Sequence, residues 1–293
     1  MASPGIQSMA APLARVMVCP PAAAGWGEPE RAASWGALGY RHAPRAELAE
    51  RQHAALCEAL EAAGARVERL PGDASLSLDA VYAHDTSLPT DRGVLLLRPG
   101  KAARRGEPER HGRLYTELGI PILGRLEPPA CAEAGDLVWL DERTLLAGRG
   151  YRTNAAGIQA LRSLLAPLGT ELIEAPLPHG GGPDVCLHLM SILSVLDERR
   201  LLVDLDWLAV PTVELLRERG FELIGIDPAE RDGLACNVLA LGAGRLLAVG
   251  ENVRTNARLA EHGFDVRGFA GDEICWNGGG GPTCLTRPLE RRP

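Results

Sequence analysis

The sequence predicts an α/β chain in which five similar units close into a pseudo-fivefold αβ propeller. Three observations lead there. A helix end, a glycine and a short strand recur five times, with the glycines at 64, 119, 169, 220 and 263, hence at intervals of 55, 50, 51 and 43 residues. An apolar strand precedes each helix. The 293 residues, 46% of them hydrophobic, can bury a sizeable core, but one unit alone buries too little, so a closed array is expected to behave as one domain over 1–293. Five αβ units in an open, doubly wound sheet are the plainer alternative, and the regular spacing favours closure.

In chain order, the first unit opens with an apolar strand at 14–18, and its amphipathic helix at 47–63 ends at Gly64, where a left-handed C-cap belongs, before a strand within 63–70. The second has a strand at 93–97 and Gly119 leading into 118–123. The third has 144–147 and Gly169 within 168–173. The fourth has 201–205, a helix at 212–219 and Gly220 within 219–224. The fifth has 245–249 and Gly263 within 262–267. Units three and five share Arg-Thr-Asn-Ala at 152–155 and 254–257. Outside the repeat, about ten N-terminal residues are expected to be disordered. The glycine-rich, aromatic segment 22–44 is expected to be a mobile lid loop. Glycine-rich turns at 176–183 and 277–282 each lead towards a residue that can do chemistry.

Composition removes several functions. A formal net charge of -7 argues against a phosphate-neutralising surface, and so against nucleic acid as a partner. Lys101 is the only lysine, so there is no phosphate-binding GxxxxGK[ST] loop, and no GxGxxG motif is present either. Seven cysteines (19, 57, 131, 186, 236, 275 and 284), odd in number and never as CxxC, point to reduced thiols rather than disulfides or a zinc knuckle. The first 24 residues are broken by Arg15 and four prolines and resemble no signal peptide, and no apolar run reaches the ~18 residues of a membrane span. A cytoplasmic protein that needs no metal or organic cofactor and does not engage a membrane is expected. No feature fixes the oligomeric state, and a second copy of the chain stays a candidate partner.

Cys284 follows Asn-Gly-Gly-Gly-Gly-Pro-Thr, where missing side chains would let backbone N–H groups and a small substrate approach the thiol. It is the candidate nucleophile, provided a neighbour favours its thiolate. His188, read as lying on a buried strand after glycines 180–182, is the natural acid/base partner because imidazole both gives and takes a proton near neutrality. Histidines 42, 53, 111, 179 and 262 read as solvated. Asp79 and Asp85 flank 81–84, while Glu133 and Asp136 precede a strand at 137–140. Acids at strand ends in separate units would meet at a propeller axis and bind a planar cation such as a guanidinium through charge-assisted hydrogen bonds.

These residues together resemble a family, the guanidino-group modifying enzymes of the pentein superfamily. The resemblance rests on three ordered motifs, Glu133-Ala-Gly-Asp136, His188-Leu-Met190 and Gly-Gly-Gly-Gly-Pro-Thr-Cys284-Leu-Thr, and runs over nearly the whole chain. The stretch from Asp79 to Asp85, Arg98 to Glu107 and Tyr151 to Gly157 is most similar to the dimethylarginine dimethylaminohydrolase branch; arginine deiminases and amidinotransferases are relatives. The resemblance implies a propeller of ββαβ-type repeats, with Cys284, His188 and Glu133 catalytic. It also implies that Asp79, His84, Asp85 and Asp136 lie at the substrate site, and that Arg104 and Arg152 hold the carboxylate of a small guanidino amino acid. The implied reaction turns an N-methylated arginine into citrulline and an amine through a covalent amidino-cysteine intermediate. Two positions depart from the pattern: His84 stands where the branch has an acid, and Met190 where arginine deiminases have Asp. Amidino transfer, arginine deimination or dihydrolysis, and citrulline hydrolysis are the enzymatic alternatives, and a catalytically silent propeller that only binds is the non-enzymatic one.

Overall fold

In a computed structural model, residues 5–183, 185 and 187–292 are described. Strand β1 (Leu13–Val18) leads through the short helix α1 (Pro29–Ala32) and the long helix α2 (Ala46–Ala62) into β2 (Arg66–Arg69). Four units of one pattern follow. They are β3 (Ser87–Thr90), β4 (Gly93–Leu96), α3 (Glu107–Glu117) and β5 (Ile122–Arg125); β6 (Leu137–Trp139), β7 (Thr144–Arg149), α4 (Ala155–Leu165) and β8 (Glu171–Pro176); β9 (Leu193–Val195), β10 (Arg200–Val203), α5 (Val210–Glu218) and β11 (Glu222–Gly225); and β12 (Leu239–Gly242), β13 (Arg245–Val249), α6 (Val253–Glu261) and β14 (Asp265–Phe269). The last strand, β15 (Thr286–Arg291), returns to pair antiparallel with β1, so the chain's two ends complete one sheet.

Among the described residues there are five three-stranded sheets, each with one antiparallel pair and one parallel crossover through a helix; the antiparallel pair is a hairpin in four of them and β1 with β15 in the fifth. The fold is thus a pseudo-fivefold αβ propeller of ββαβ units, and the single open sheet is ruled out. All five repeat glycines, 64, 119, 169, 220 and 263, have φ between 71° and 94°, the left-handed region that closes a helix before its strand. The inner strands β3, β6, β9, β12 and β15 line a cavity on the pseudo-axis. Helix α2 buries Ala49, Leu56, Ala59 and Leu60 against its sheet, and each fully buried leucine contributes roughly 2 kcal/mol.

Several expectations change. His188 lies not on a strand but at the start of the single helical turn Leu189–Ser191, with β9 beginning only at Leu193, because Ser191 Oγ takes the His188 amide (3.1 Å) and turns the chain. Residues 5–10, expected to be disordered, are held instead: Ile6 N donates to Asp91 Oδ1 (3.0 Å), Gln7 Nε2 donates to the Glu142 carbonyl (2.6 Å), and Ile6, Ser8 and Met9 cover the apolar axis. Residues 1–4 of that segment, Cys186 and the Asp184 of the His188 motif lie outside the described residues. The segment 22–44 packs down through Trp26, whose Nε1 donates to the Leu78 carbonyl (3.0 Å) and whose ring meets Tyr40 edge-on at 5.6 Å. His53 and His111 are buried, not solvated. The shared Arg-Thr-Asn-Ala is out of register, since Asn154 caps α4 whereas Asn256 lies inside α6.

Gly157 in the first turn of α4 donates to Asn154 Oδ1 (2.7 Å), and a Cβ there would stand 1.9 Å from the Cys131 carbonyl oxygen. Gly157→Ala is therefore expected to destabilise the fold by at least about 2 kcal/mol, seen as a lower urea midpoint at unchanged m.

Candidate active site

Every blade contributes a polar side chain from the turn just before its inner strand. Asp85 precedes β3, Glu133 and Asp136 precede β6, His188 precedes β9, Asn237 precedes β12 and Cys284 precedes β15. Because the inner strands surround the axis, residues up to 200 apart in sequence meet at one end of it. Backbone bonds tie the turns together: His84 N donates to the Cys284 carbonyl (3.1 Å), and Ala134 N to the Asp85 carbonyl (2.9 Å).

His188 is buried between two carboxylates. Its Nε2–H donates to Glu133 Oε2 (2.8 Å), and Nδ1 lies 3.9 Å from Asp85 Oδ1. Glycine is required at 135, where a Cβ would come within 2.5 Å of His188 Nδ1. Glu133 also accepts from Gly100 N (2.9 Å) and from Arg152 Nη1 (2.8 and 2.9 Å), and Asp85 Oδ1 accepts from Gly135 N (3.0 Å). Burial would raise both acids, yet the facing charges prevail. Hydrogen bonding and charge from His188 hold Glu133 at about 2, and His188 with Arg104 holds Asp85 below the usual carboxylate range. Two ionised carboxylates thus favour an imidazolium at His188. The donor atoms of Asp85, Glu133 and His188 lie within 4.8 Å of one another, but hydrogen bonds already engage each of them.

Cys284 Sγ accepts from Asn237 Nδ2 (3.1 Å), while Asn237 Oδ1 takes the Thr283 amide (3.0 Å). A donor aimed at sulfur favours the thiolate. Asn237 escaped sequence reasoning because one asparagine after an alanine and a cysteine carries no pattern; its place as the turn residue of the β12–β14 blade is the signal that would have found it. The glycines before Cys284 serve differently from the sequence reading. A Cβ at Gly278 or Gly280 would strike Tyr82, at 2.2 and 2.4 Å, and one at Gly281 would lie 2.6 Å from Asn237 Oδ1. Only Gly279 faces open space, so the other three make room for the site's own walls.

Arg104 departs from its expected role. Its side chain is buried and turned inward: Nη1 donates to Asp85 Oδ2 (2.5 Å), Nη2 to the Tyr82 carbonyl (2.7 Å), and Nε with Nη2 clasps Glu107. Glu107 is itself pushed up to about 7, burial outweighing the Arg104 charge. Arg152, with 14% of its side chain exposed, is the arginine nearer solvent. Asp79 pairs with Lys101 Nζ (2.6 Å), which also donates to the Leu38 carbonyl (2.6 Å) and so joins the 22–44 segment to the site. His84 turns towards the axis: Nδ1 donates to the Thr286 carbonyl (2.9 Å), and burial lowers the ring to about 3, so it stays neutral. Asp136 orients the His188 turn through Leu189 N (2.9 Å), and desolvation lifts it to about 6.

Comparison with known proteins places the chain among relatives. A family model described as arginine deiminase matches residues 208–291. An uncharacterized protein of Aeropyrum pernix is 32% identical over 86% of this chain and 88% of its own length. The N(G),N(G)-dimethylarginine dimethylaminohydrolase of Streptomyces coelicolor is 30% identical over 64% of this chain and 66% of its own. A solved structure of a dimethylarginine dimethylaminohydrolase adduct with 4-chloro-2-hydroxymethylpyridine, 25% identical, covers 94% of this chain and 100% of that one with a TM-score of 0.74.

Two variants probe the buried charges. Arg104→Met leaves Glu107 unpaired and Asp85 facing His188 alone, and is expected to cost about 3 to 5 kcal/mol of stability by urea unfolding, whereas an arginine that only held substrate would cost little. For Asp136 the folded pKa lies above the unfolded one, so the stability linked to its protonation is fully present below pH 4 and lost as pH rises through about 6. Asp136→Asn should therefore gain on the native protein between pH 4 and pH 8, by about 3 kcal/mol in paired urea melts.

Proposed function

Because this chain belongs to the guanidino-group modifying enzymes of the pentein superfamily, close to dimethylarginine dimethylaminohydrolase, and is a hydrolase of amidino C–N bonds, we propose that Cys284 is its nucleophile and an N-methylated arginine its substrate. The observation that carries this reading is that the turns entering the inner strands of separate blades bear Cys284, with an amide donor on its sulfur, and a histidine clamped between two ionised carboxylates.

In the proposed reaction, the Cys284 thiolate attacks the guanidinium carbon, forming the S–C bond. His188 delivers its proton to the methylated nitrogen, the C–N bond breaks, and the amine departs from an S-linked amidino-cysteine. Neutral His188 then takes a proton from water, whose oxygen adds to the same carbon. Collapse expels the thiolate and releases citrulline. Asp85 and Glu133 supply negative charge to the bound guanidinium, and Asn237 supports the thiolate before attack and after release. Arg152 holds the substrate carboxylate, while Arg104 acts as a positioning residue through Asp85. Positioning supplies much of the rate, since groups held in register react as if at very high local concentration.

Two departures from the family pattern bear on the substrate. With His84 neutral and turned to Thr286, the guanidinium end has one acid fewer than the branch, which leaves Asp85 and Glu133 to carry the charge there. Met190 stands where arginine deiminases have an acid and is buried in the core below the His188 turn, so it offers no charge to a guanidinium. A cytoplasmic setting belongs to the same reading, and the six described cysteines are all free thiols.

The test incubates the protein with a mixture of arginine, monomethylarginine, asymmetric dimethylarginine, agmatine and citrulline and follows masses. A methylated arginine should fall as citrulline rises, and Cys284→Ser should lower the rate by about 10⁴-fold or more. Five unchanged masses, or turnover only when glycine, lysine or ornithine is added as acceptor, would sink the hydrolase reading.

A further inference from the structure

The reaction leaves two buried cations unused. Arg287 and Arg291 both lie on β15 and both line the axial cavity, with 6% and 2% of their surface exposed. Among the described residues, neither guanidinium forms an ion pair. Their partners are neutral carbonyls: Arg287 Nη1 donates to His84 O (3.0 Å) and Ser87 O (2.8 Å), and Arg291 to Ala11 O and, through Nη2, Ala240 O (2.9 Å). Carbonyls satisfy N–H groups without cancelling charge, and a buried unpaired ion costs several kcal/mol. Asp85, the carboxylate whose charge reaches Arg287, already pairs with Arg104. Desolvation lowers Arg287 to about 10 and Arg291 to about 9, the latter opposed further by Arg287.

Two residues that line the cavity each carry a polar atom that is untaken. Arg287 Nε is buried, and no described residue accepts its proton. His84 Nε2 is likewise buried without a described partner, and because Nδ1–H serves Thr286 O, Nε2 presents a lone pair that calls for a donor. The remaining wall is mostly apolar, with Leu88, Leu137, Val138, Leu193 and Val238. The cavity volume is about 30 Å³, roughly two small species at about 10 to 15 Å³ each.

We propose that the axial cavity binds a chloride-sized anion on Arg287 Nε, with one water donating a hydrogen bond to the anion and another to His84 Nε2. The anion supplies the counter-charge that the two buried guanidiniums lack, since Glu290 of the same strand pairs with Arg292, and the apolar wall and small volume select a weakly hydrated monoatomic ion over sulfate or a carboxylate. Arg287 holds the His84 carbonyl and His84 N holds the Cys284 carbonyl, so the site lies directly beneath the nucleophile's turn.

Crystals of the full chain soaked in sodium bromide and measured at the bromine edge test this. An anomalous peak is expected in the axial cavity, within hydrogen-bond reach of Arg287 Nε. In solution, the melting temperature in sodium chloride should exceed that in sodium gluconate at equal ionic strength by about 2 to 4 °C. Arg287→Met should abolish both effects; if that variant does not fold, the two wild-type measurements decide. Water density alone at the site, or equal melting temperatures in the two salts, overturns the proposal.

Discussion

The architecture depends on the pairing of the chain's two ends. Strand β15 lies antiparallel to β1, with Leu13 opposite Arg291 and Val18 opposite Thr286. Joining segments that far apart costs about 5 kcal/mol of loop entropy, a term that grows only logarithmically with length, and burial along β1 offsets it. Val16, Met17 and Val18 are all fully buried. The consequence is chemical as much as mechanical. Cys284 precedes β15, so the ladder that closes the ring also sets the thiol beside the turn carrying His84 and Asp85. A propeller left open at this seam would keep four of its five turn residues together and lose the sulfur.

Pseudo-symmetry explains why so small a site draws on most of the chain. A ββαβ unit cannot bury its own faces, so five of them share cores between neighbouring blades, and each sends one turn to the axis. Divergence among equivalent turns then yields an acid, a second acid, an imidazole, an amide and a thiol at equivalent places. Below those turns the axis is lined mostly by hydrophobes, interrupted by Ser194 of β9, by His84 and by the two arginines of β15.

Much of this could be read from the chain, and the unread parts share physical causes. The glycine C-caps were legible because a left-handed residue after an amphipathic helix has few alternatives, and all five fall where their spacing put them. The middle strands β4, β7, β10 and β13 were legible as apolar runs. The inner strands were mostly not: they span three to six residues, are buried on both faces and so lack alternation, and β15 is interrupted by Pro288 and two arginines. Among site residues, motif and chemistry agreed for Cys284, His188, Asp85 and Glu133, which the structure gathers at one end of the axis. Arg104 was misread because a sequence shows a positive charge but not the side on which its acids lie, and here Glu107, three residues on, together with Asp85, draws it inward. Asn237 went unread because its importance comes from the blade it occupies rather than from its neighbours in sequence.

The row of charges running Arg104, Asp85, His188, Glu133, Arg152 alternates in sign when His188 is protonated, and this bears on a difficulty in the proposed chemistry. A guanidinium substrate is a cation, and the acid that must protonate its leaving nitrogen is a second cation beside it. Two unit charges about 4 Å apart repel by about 4 kcal/mol at an effective dielectric of 20, enough to strip the proton from an unsupported histidine as substrate arrives. Carboxylates on both sides of His188, each held ionised and each anchored from behind by an arginine, oppose that loss. One acid would have served to orient the ring. The second is what lets the imidazolium persist next to a bound cation, and Arg104, though turned away from the substrate, keeps that second acid charged.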